Sequence, residues 1–395
     1  MPSRQMKILL CLLYYSPHRT GLTLYVQRLA ERLVECGDEV TVLCARHDPR
    51  TPLGAAVENG VRVVRLRPLA RTISRGMVMP GYPAALRRLA AGCDLVSVHT
   101  PILESALIGH VARRLGKPLV CTHHGDLVLP RGWGNRLIST VMSALYHRMA
   151  RTAGAFVAPS RDYAEASSYL RPYLDRLVVI PPLIEVPPPD RARARELRSR
   201  WAPDGGPVIG YAGRLVEEKR PDLLVRALAT INFRHPRARL VFAGQRDVAY
   251  ETFWRRQGDL ERRYGDQLRF LGALSEPQEM ADFYAACDLL ALPSDTECFA
   301  LVQVEAMLCG TPVVMTDIPG GRVPVQATGM GVLVPPGDPR ALGEGILRVL
   351  ADRPRYLRPR QEIERLFSAA TTIDRYRELF QRQVYGTRRG LGAAA

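Results

Sequence analysis

Twice along the chain, a short run of aliphatic residues ends in a glycine-bearing turn and passes into apolar residues at helical spacing. The first instance is Met6–Tyr15, followed by SPHRTG (16–21) and then Leu22, Val26, Leu29, Ala30 and Leu33, with Gly37 as the helix stop. Strands apolar at nearly every position belong in sheets covered on both faces, which in practice means parallel sheets with crossover helices. EVTVLCARH supplies the second strand, and Val61–Leu66, Asp94–His99, Pro118–Thr122 and AFVAPS (155–160) supply more. Residues 67–83, with Pro68, Gly76, Pro80, Gly81 and Pro83, read as an irregular loop. LVVIPPLIEVPPPD (177–190) is a short strand dissolving into a proline-rich linker, and the alternation then restarts at PVIGYAGRLVEEKRPDLLVRAL. Strands follow at 238–247 and 268–274. EMADFYAAC is helical, and DLLALPS, PVVMTDIPGGR, GVLVPPGD and the helix ALGEGILRVLAD complete the set.

A chain of 395 residues exceeds one ordinary core. Two successive α/β sets joined by prolines predict an α/β protein of two Rossmann-like domains facing each other across a cleft. The expected bounds are 1–185 and 186–371, then a helix over 372–385 crossing back to the N-terminal domain, then a flexible tail at 386–395. No internal sequence repeat is present.

Met6–Tyr15 carries Lys7 and is too short to span a bilayer. It runs into Ser-Pro-His rather than a small-residue cleavage site, so it is expected to be a buried strand and not a signal peptide. The eight cysteines sit mostly in apolar segments, without a C-x-x-C pair. That fits reduced core thiols in a cytoplasmic protein, not a disulfide framework or a zinc site. The net charge of +16 is uneven. Residues 1–189 carry 24 basic and 13 acidic groups, and the remainder 31 and 26. A basic first half suits an anionic acceptor or peripheral contact with the inner face of an anionic membrane. No aromatic-interleaved basic stripe points to nucleic acid.

The most chemically informative stretch is Ser294–Val314. A polar loop carrying Glu297 precedes a helix expected from about Phe299, with Gly310 as its C-terminal cap. Glu297 and Glu305 stand in E-x7-E spacing. Leu301 and Glu305 share a face, so the Glu305 carboxylate should lean back towards the free amides of residues 300–302. A helix N-terminus beside a carboxylate suits a phosphate next to a diol, as in a nucleotide. Two acids on a solvated helix are the plain alternative, and a glycosidase acid/base pair is another. Further upstream, HHGDLVLPRGWGN (123–135) places two histidines and Asp126 directly after a parallel strand, at the edge where such sheets bind ligands. The next helix, about Asn135–Thr152, carries Leu137, Ile138, Val141, Met142, Leu145 and Met149 on one stripe, among Arg136, Arg148 and Arg151. That stripe is expected to face the core, with membrane contact as the second reading.

Taken together, GRLVEEK (213–219), the E-x7-E stretch and the GTPVV strand after it resemble the donor domain of the GT4 glycosyltransferases of the GT-B fold, a retaining family. SPHRTG resembles that family's acceptor-side glycine loop, and HHGD (123–126) its histidine-bearing loop. The resemblance covers nearly the whole chain. It implies that Arg214 and Lys219 bind the diphosphate of a UDP- or GDP-sugar. It further implies Glu305 on the ribose hydroxyls, and Glu297 near the sugar with the amides of Phe299, Ala300, Leu301 and Val302. Gly21 and Gly244 would approach the donor, with base contacts near Gly244 and Leu271–Ala273. His124 would hold a sugar hydroxyl or a backbone group at the transition state, with Asp126 orienting it or the acceptor. The family pattern usually has Gly where Ala300 stands, and a Gly-Gly pair where Gly21-Leu22 stands.

The expected activity is therefore metal-independent transfer of a hexosyl group to a glycan, glycolipid or small-molecule hydroxyl. The chain has no D-x-D motif, and no cofactor is called for. The main alternative is another GT-B enzyme such as a nucleotide-sugar 2-epimerase. An NAD-dependent dehydrogenase would want G-x-G-x-x-G after the first strand, which is missing. A non-catalytic polyanion binder is suggested by charge alone.

Overall fold

The computed structural model describes residues 5–69, 71–72, 76–127, 132–248 and 251–391. The chain forms two compact units, one from the residues up to Leu183 with those from Ala370 onward, the other Ile184–Ala369.

The first unit is built on an eight-stranded sheet. Its strands are β1 (Lys7–Cys11), β2 (Glu39–Ala45), β3 (Gly54–Glu58), β4 (Val61–Leu66), β7 (Leu95–Thr100), β8 (Leu119–His123), β9 (Ala155–Ala158) and β10 (Leu177–Val179), with a separate two-stranded ribbon of β5 (Arg71–Thr72) and β6 (Gly76–Met77). The spatial order is β10-β9-β8-β7-β1-β2-β4-β3. Every pairing is parallel except β3 with β4, a hairpin closed by Asn59 and Gly60, both at positive φ. The helices are α1 (Gly21–Glu35), α2 (Tyr82–Ala91), α3 (Ser105–Arg114), α4 (Trp133–Ala150) and α5 (Arg161–Ala166). Thr20 caps α1 through a reciprocal exchange with Thr23, so the turn after β1 leads straight into the helix.

Three differences from the sequence expectations have physical causes. Residues 67–83 are not wholly irregular, since β5, β6 and the start of α2 fall there; residues 70 and 73–75 lie outside the described residues. The stripe on α4 faces the core only in part, with Met149 buried and Ile138, Met142 and Leu145 half-buried. Tyr146, Met149 and Ala150 are buried, but Leu137 and Val141 are exposed. The last helix of the chain, labelled α14 below, begins at Ala369 and runs to Leu391, so much of the expected tail is helical; residues 392–395 lie outside the described residues. Within the first unit, the Tyr376 hydroxyl of that helix meets Tyr25 Oη at 2.6 Å, and Arg377 Nε reaches the fully buried Asp38 carboxylate at 3.0 Å.

In the second unit a six-stranded, wholly parallel sheet comprises β11 (Val208–Ala212), β12 (Arg239–Ala243), β13 (Leu268–Gly272), β14 (Leu289–Leu292), β15 (Val313–Thr316) and β16 (Gly331–Val334). Its helices are α6 (Arg191–Trp201), α7 (Pro221–Ile231), α8 (Gly258–Tyr264), α9 (Pro277–Ala286), α10 (Leu301–Leu308), α11 (Val323–Thr328), α12 (Pro339–Ala351) and α13 (Arg360–Leu366), and α14 (Ala369–Leu391) follows. The order β13-β12-β11-β14-β15-β16 is the 3-2-1-4-5-6 arrangement of doubly wound domains. Two apolar clusters cover the sheet's faces, one around Phe283, Met307 and Met315, the other around Leu224, Phe242 and Ile346. Among the described residues, no helix is long and apolar enough to cross a membrane.

Candidate active site

Open parallel sheets bind ligands beyond the carboxyl ends of the strands, where the winding reverses direction. In the second unit that point lies between β11 and β14, and the loops after these two strands carry Arg214, Lys219 and Glu297. The β11 loop is shaped by close backbone approach. A side chain at Gly244 (φ 157°) would collide with the carbonyl of Gly213, and Leu215 N donates to Gln245 O at 3.0 Å. Gly244 N in turn donates to Gly272 O at 2.7 Å, lacing the ends of β11, β12 and β13 together. Arg214 pairs with Glu218 at 3.1 Å, and the Tyr211 hydroxyl donates to Arg214 O at 2.9 Å.

The pairing across the switch point is direct. Lys219 Nζ lies 2.6 Å from Glu297 Oε1, with the two side chains only 23% and 11% exposed. Ser294 Oγ donates to the same carboxylate oxygen at 2.9 Å, and Asp295 N donates to Glu218 O at 2.9 Å. Behind Glu297, Gly320 packs so closely that a side chain there would strike the carbonyls of Glu297 and Cys298. The sequence suggested separate tasks for Lys219 and Glu297. The structure joins them as an ion pair.

The helix that follows starts later than its sequence suggests. Ala300 sits in the left-handed region (φ 55°, ψ 74°), and α10 begins at Leu301 rather than Phe299. Left-handed backbone is costly for a residue with a Cβ, so this alanine bears strain where the family pattern has glycine. Phe299 is buried, whereas Leu301 and Val302 are half-buried. Glu305 Oε2 accepts from the Tyr284 hydroxyl at 2.9 Å; burial, and then the Glu305 charge, raise the phenol pKa well above its usual value. Gln303, fully buried, donates to Gly321 O at 2.7 Å and ties α10 to the loop after β15.

In the first unit the winding reverses between β1 and β7. Gly21 opens α1 after the loop of residues 12–20 that follows β1, and His124 immediately follows β8. His124 Nε2 shares a 2.9 Å hydrogen bond with Nδ1 of His99, at the end of β7, and Tyr25 packs edge-on against the His124 ring. Burial pushes the His99 pKa down to about 3. Burial, followed by the neighbouring His99 and His123, drives that of His124 well below its ordinary value. Both rings are neutral at pH 7, which makes His124 a hydrogen-bonding group and not a cation. Asp126 does not orient His124. Its Oδ1 lies 2.9 Å from Nε2 of His123, whose Nδ1 meets the Thr100 hydroxyl at 2.9 Å. Asp126 also accepts from the hydroxyls of Tyr163, Ser167 and Ser168 and from Ser168 N. Burial alone would raise the Asp126 pKa, but the His123 bond and charge and the two serine hydroxyls more than offset it, leaving the carboxyl below its ordinary range. Asp126 therefore braces its own loop, of which residues 128–131 lie outside the described residues.

Sequence reasoning missed His99, Glu218 and Tyr284. A histidine at the carboxyl end of a strand, in VSVHT, was the available sign for the first; the other two lie in segments read only as a motif and a helix.

Comparison with known proteins identifies the family. Residues 193–365 match the family described as glycosyl transferases group 1, and residues 20–182 match the glycosyl transferase 4-like domain. A D-inositol 3-phosphate glycosyltransferase of Xylanimonas cellulosilytica is 31% identical over 366 residues, covering 84% of this chain and 84% of the relative. A GDP-mannose-dependent alpha-mannosyltransferase of Mycobacterium tuberculosis is 28% identical, covering 87% of each chain. Neither is an epimerase, so the epimerase alternative gains no support. Among solved structures, sucrose-phosphate synthase from Thermosynechococcus elongatus superimposes with a TM-score of 0.75 at 24% identity over 97% of this chain and 100% of that one. Anabaena HepE in complex with UDP and glucose does so with a TM-score of 0.71 at 21% identity over 98% and 100%. The chain belongs to the GT4-type glycosyltransferases of the GT-B fold.

Proposed function

We propose that the protein transfers a hexosyl group, with retention of anomeric configuration and without a catalytic metal, from a UDP- or GDP-sugar to a hydroxyl of an anionic or glycan-like acceptor. The observation that carries this is the Lys219–Glu297 pair at the switch point of the second unit, with Arg214 on the same loop and α10 starting just beyond. A cation and helix amides on one side and a carboxylate on the other match a diphosphate followed by a sugar's hydroxyls. In this reading the incoming diphosphate takes Lys219 away from Glu297, which frees the carboxylate to accept from sugar hydroxyls. Glu305, held by Tyr284, accepts from the ribose. The amides of Phe299, Ala300, Leu301 and Val302 border the phosphates, and Gly244 leaves room for the base.

The acceptor oxygen bonds to the anomeric carbon on the face that the phosphate leaves. The carbon–oxygen bond to the diphosphate breaks, and a phosphate oxygen of the leaving group takes the acceptor proton. Arg214 and Lys219 neutralise the charge that builds on that group. Neutral His124, with its ring fixed through His99, holds a sugar hydroxyl. Asp126 keeps the His123 loop in place, and Gly21 lies at the glycine turn on the acceptor side. The names of the relatives support a nucleotide-sugar donor and a phosphorylated polyol acceptor, and the basic first half of the chain is consistent with a negatively charged acceptor.

The test is incubation with UDP- and GDP-hexoses and inositol phosphates in EDTA, with the product's anomeric coupling read by NMR. A product with the donor's configuration is expected. An inverted product, or conversion of the donor without an acceptor, would overturn the proposal.

A further inference from the structure

Helix α4 reaches past the start of α3, and its first half is covered on one side, where Ile138 and Met142 are half-buried. It packs on α3, and a Cβ at Gly109 of α3 would fall 2.9 Å from the Met149 Cα near the end of α4. Both helices return from successive parallel strands, so they run in the same direction. Level with Gly109 at Met149, the start of α3 at Ser105 falls near Leu145. The residues of α4 before that point extend about 18 Å further at 1.5 Å per residue. The ring contacts of Tyr146 with Phe156 and Tyr169, and the His147–Tyr173 hydrogen bond at 2.8 Å, fasten the second half of α4 to its unit.

The projecting half carries an apolar stripe. Trp133 is 86% exposed, Leu137 59% and Val141 46%, at positions i, i+4 and i+8. Isolated exposed apolar residues need no explanation, but three in register on one face, headed by a tryptophan, do. The same helix has no Asp or Glu. Arg136 and Arg148 are exposed beside the stripe, and Arg151 follows the last turn. Apolar residues led by Trp, on a helix whose only charged side chains are arginines, form the pattern of a helix lying in the headgroup region of an anionic bilayer.

We infer that the exposed face of α4 is a docking surface for membranes rich in anionic lipid, seating the first unit on the bilayer through Trp133, Leu137 and Val141, with Arg136 and Arg148 on the headgroups. The complementarity of charge decides between occupants. A second copy of this chain, at +16, would set these arginines against like charge. The inference is independent of the donor chemistry, so the two stand or fall separately.

The chain has three tryptophans, and Trp201 and Trp254 are buried. Intrinsic fluorescence on adding vesicles therefore reports on Trp133. With 70:30 phosphatidylcholine:phosphatidylglycerol vesicles, emission should shift to the blue and the protein should co-sediment. Pure phosphatidylcholine should bind at least about tenfold more weakly. Trp133→Ser with Leu137→Ser and Val141→Ser, all exposed positions, should lower partitioning at least about tenfold while circular dichroism stays unchanged. Arg136→Gln with Arg148→Gln should also weaken binding. The charge-matched Arg255→Gln with Arg340→Gln, in the second unit, should not. Triple-serine partitioning equal to wild type, or equal losses from both arginine pairs, would overturn the inference. So would a concentration-dependent dimer that shields Trp133 without lipid.

Discussion

Lys219→Met removes one half of an ion pair that joins the loop after β11 to the loop after β14. The groups are 2.6 Å apart and mostly withdrawn from water, so the methionine strands Glu297 with the Ser294 hydroxyl as its remaining side-chain partner. Breaking a fully buried pair from one side costs about 3–5 kcal/mol. The residual exposure of both groups and the surviving serine bond lower the expected loss to about 2 kcal/mol. Adding Glu297→Gln removes the stranded charge, so the double variant should lose less than the sum of the singles, with a coupling of about 1–2 kcal/mol. Urea unfolding followed by the emission of Trp201 and Trp254, both buried in the second unit, measures these differences. The same variants separate structure from binding. A donor at one hundred times its Kd adds about 2.7 kcal/mol of stability, and a tenfold weaker Kd removes about half of that. Both Lys219→Met variants should show that smaller increment, whatever part of the stability loss the double variant offsets. If Lys219→Met unfolds as wild type does, or the singles simply add, the pair is a surface contact and the reasoning fails.

Ala300→Gly relieves left-handed strain at the start of α10 and should stabilise the second unit by about 0.5–1 kcal/mol in the same unfolding assay; a loss of stability would show that the methyl packs usefully. Gly244→Ala forces the Gly213 carbonyl away and should weaken donor binding at least about tenfold by calorimetry, with unchanged binding as the contrary result. The neutral His99–His124 pair makes the first unit sensitive to acid. Both folded pKa values lie below the unfolded value of about 6.5, so the stabilisation is complete above that pH. It declines as pH falls towards about 3, by up to about 1.4 kcal/mol per pH unit for each ring. Urea midpoints measured from pH 7 to 5 should fall accordingly, and less steeply in His99→Gln; a flat profile would contradict the pair.

The parallel strands of both units were legible because each is a run of buried aliphatic residues ending in a turn. The hairpin of β3 and β4 was not, although Asn59-Gly60 is the usual signal for such a turn. The alternation in GAAVE is too weakly apolar to mark a strand. On α4 the spacing revealed a stripe but not what would face it, since that depends on α3 beginning level with the second half of α4. The residue types of the nucleotide corner were readable from spacing. Which of them pair was not, because the Lys219–Glu297 contact and the His99–His124 bond join segments brought together only by sheet order, and the His123–Asp126 bond depends on how one short loop folds back. Ala300 illustrates the same limit. Its departure from the family pattern is visible in the sequence, but its positive φ appears only in the fold.

The central claim is that the corner formed by Arg214, Lys219, Glu297 and Glu305 holds a nucleotide-sugar. Calorimetric titration of the protein with UDP-, GDP- and ADP-sugars in EDTA, alongside Glu305→Ala, tests it most directly. The account predicts saturable binding of a UDP- or GDP-sugar without metal, weakened at least about tenfold, or about 1.4 kcal/mol, by the substitution. No binding by any of the three, or equal binding by Glu305→Ala, would contradict it.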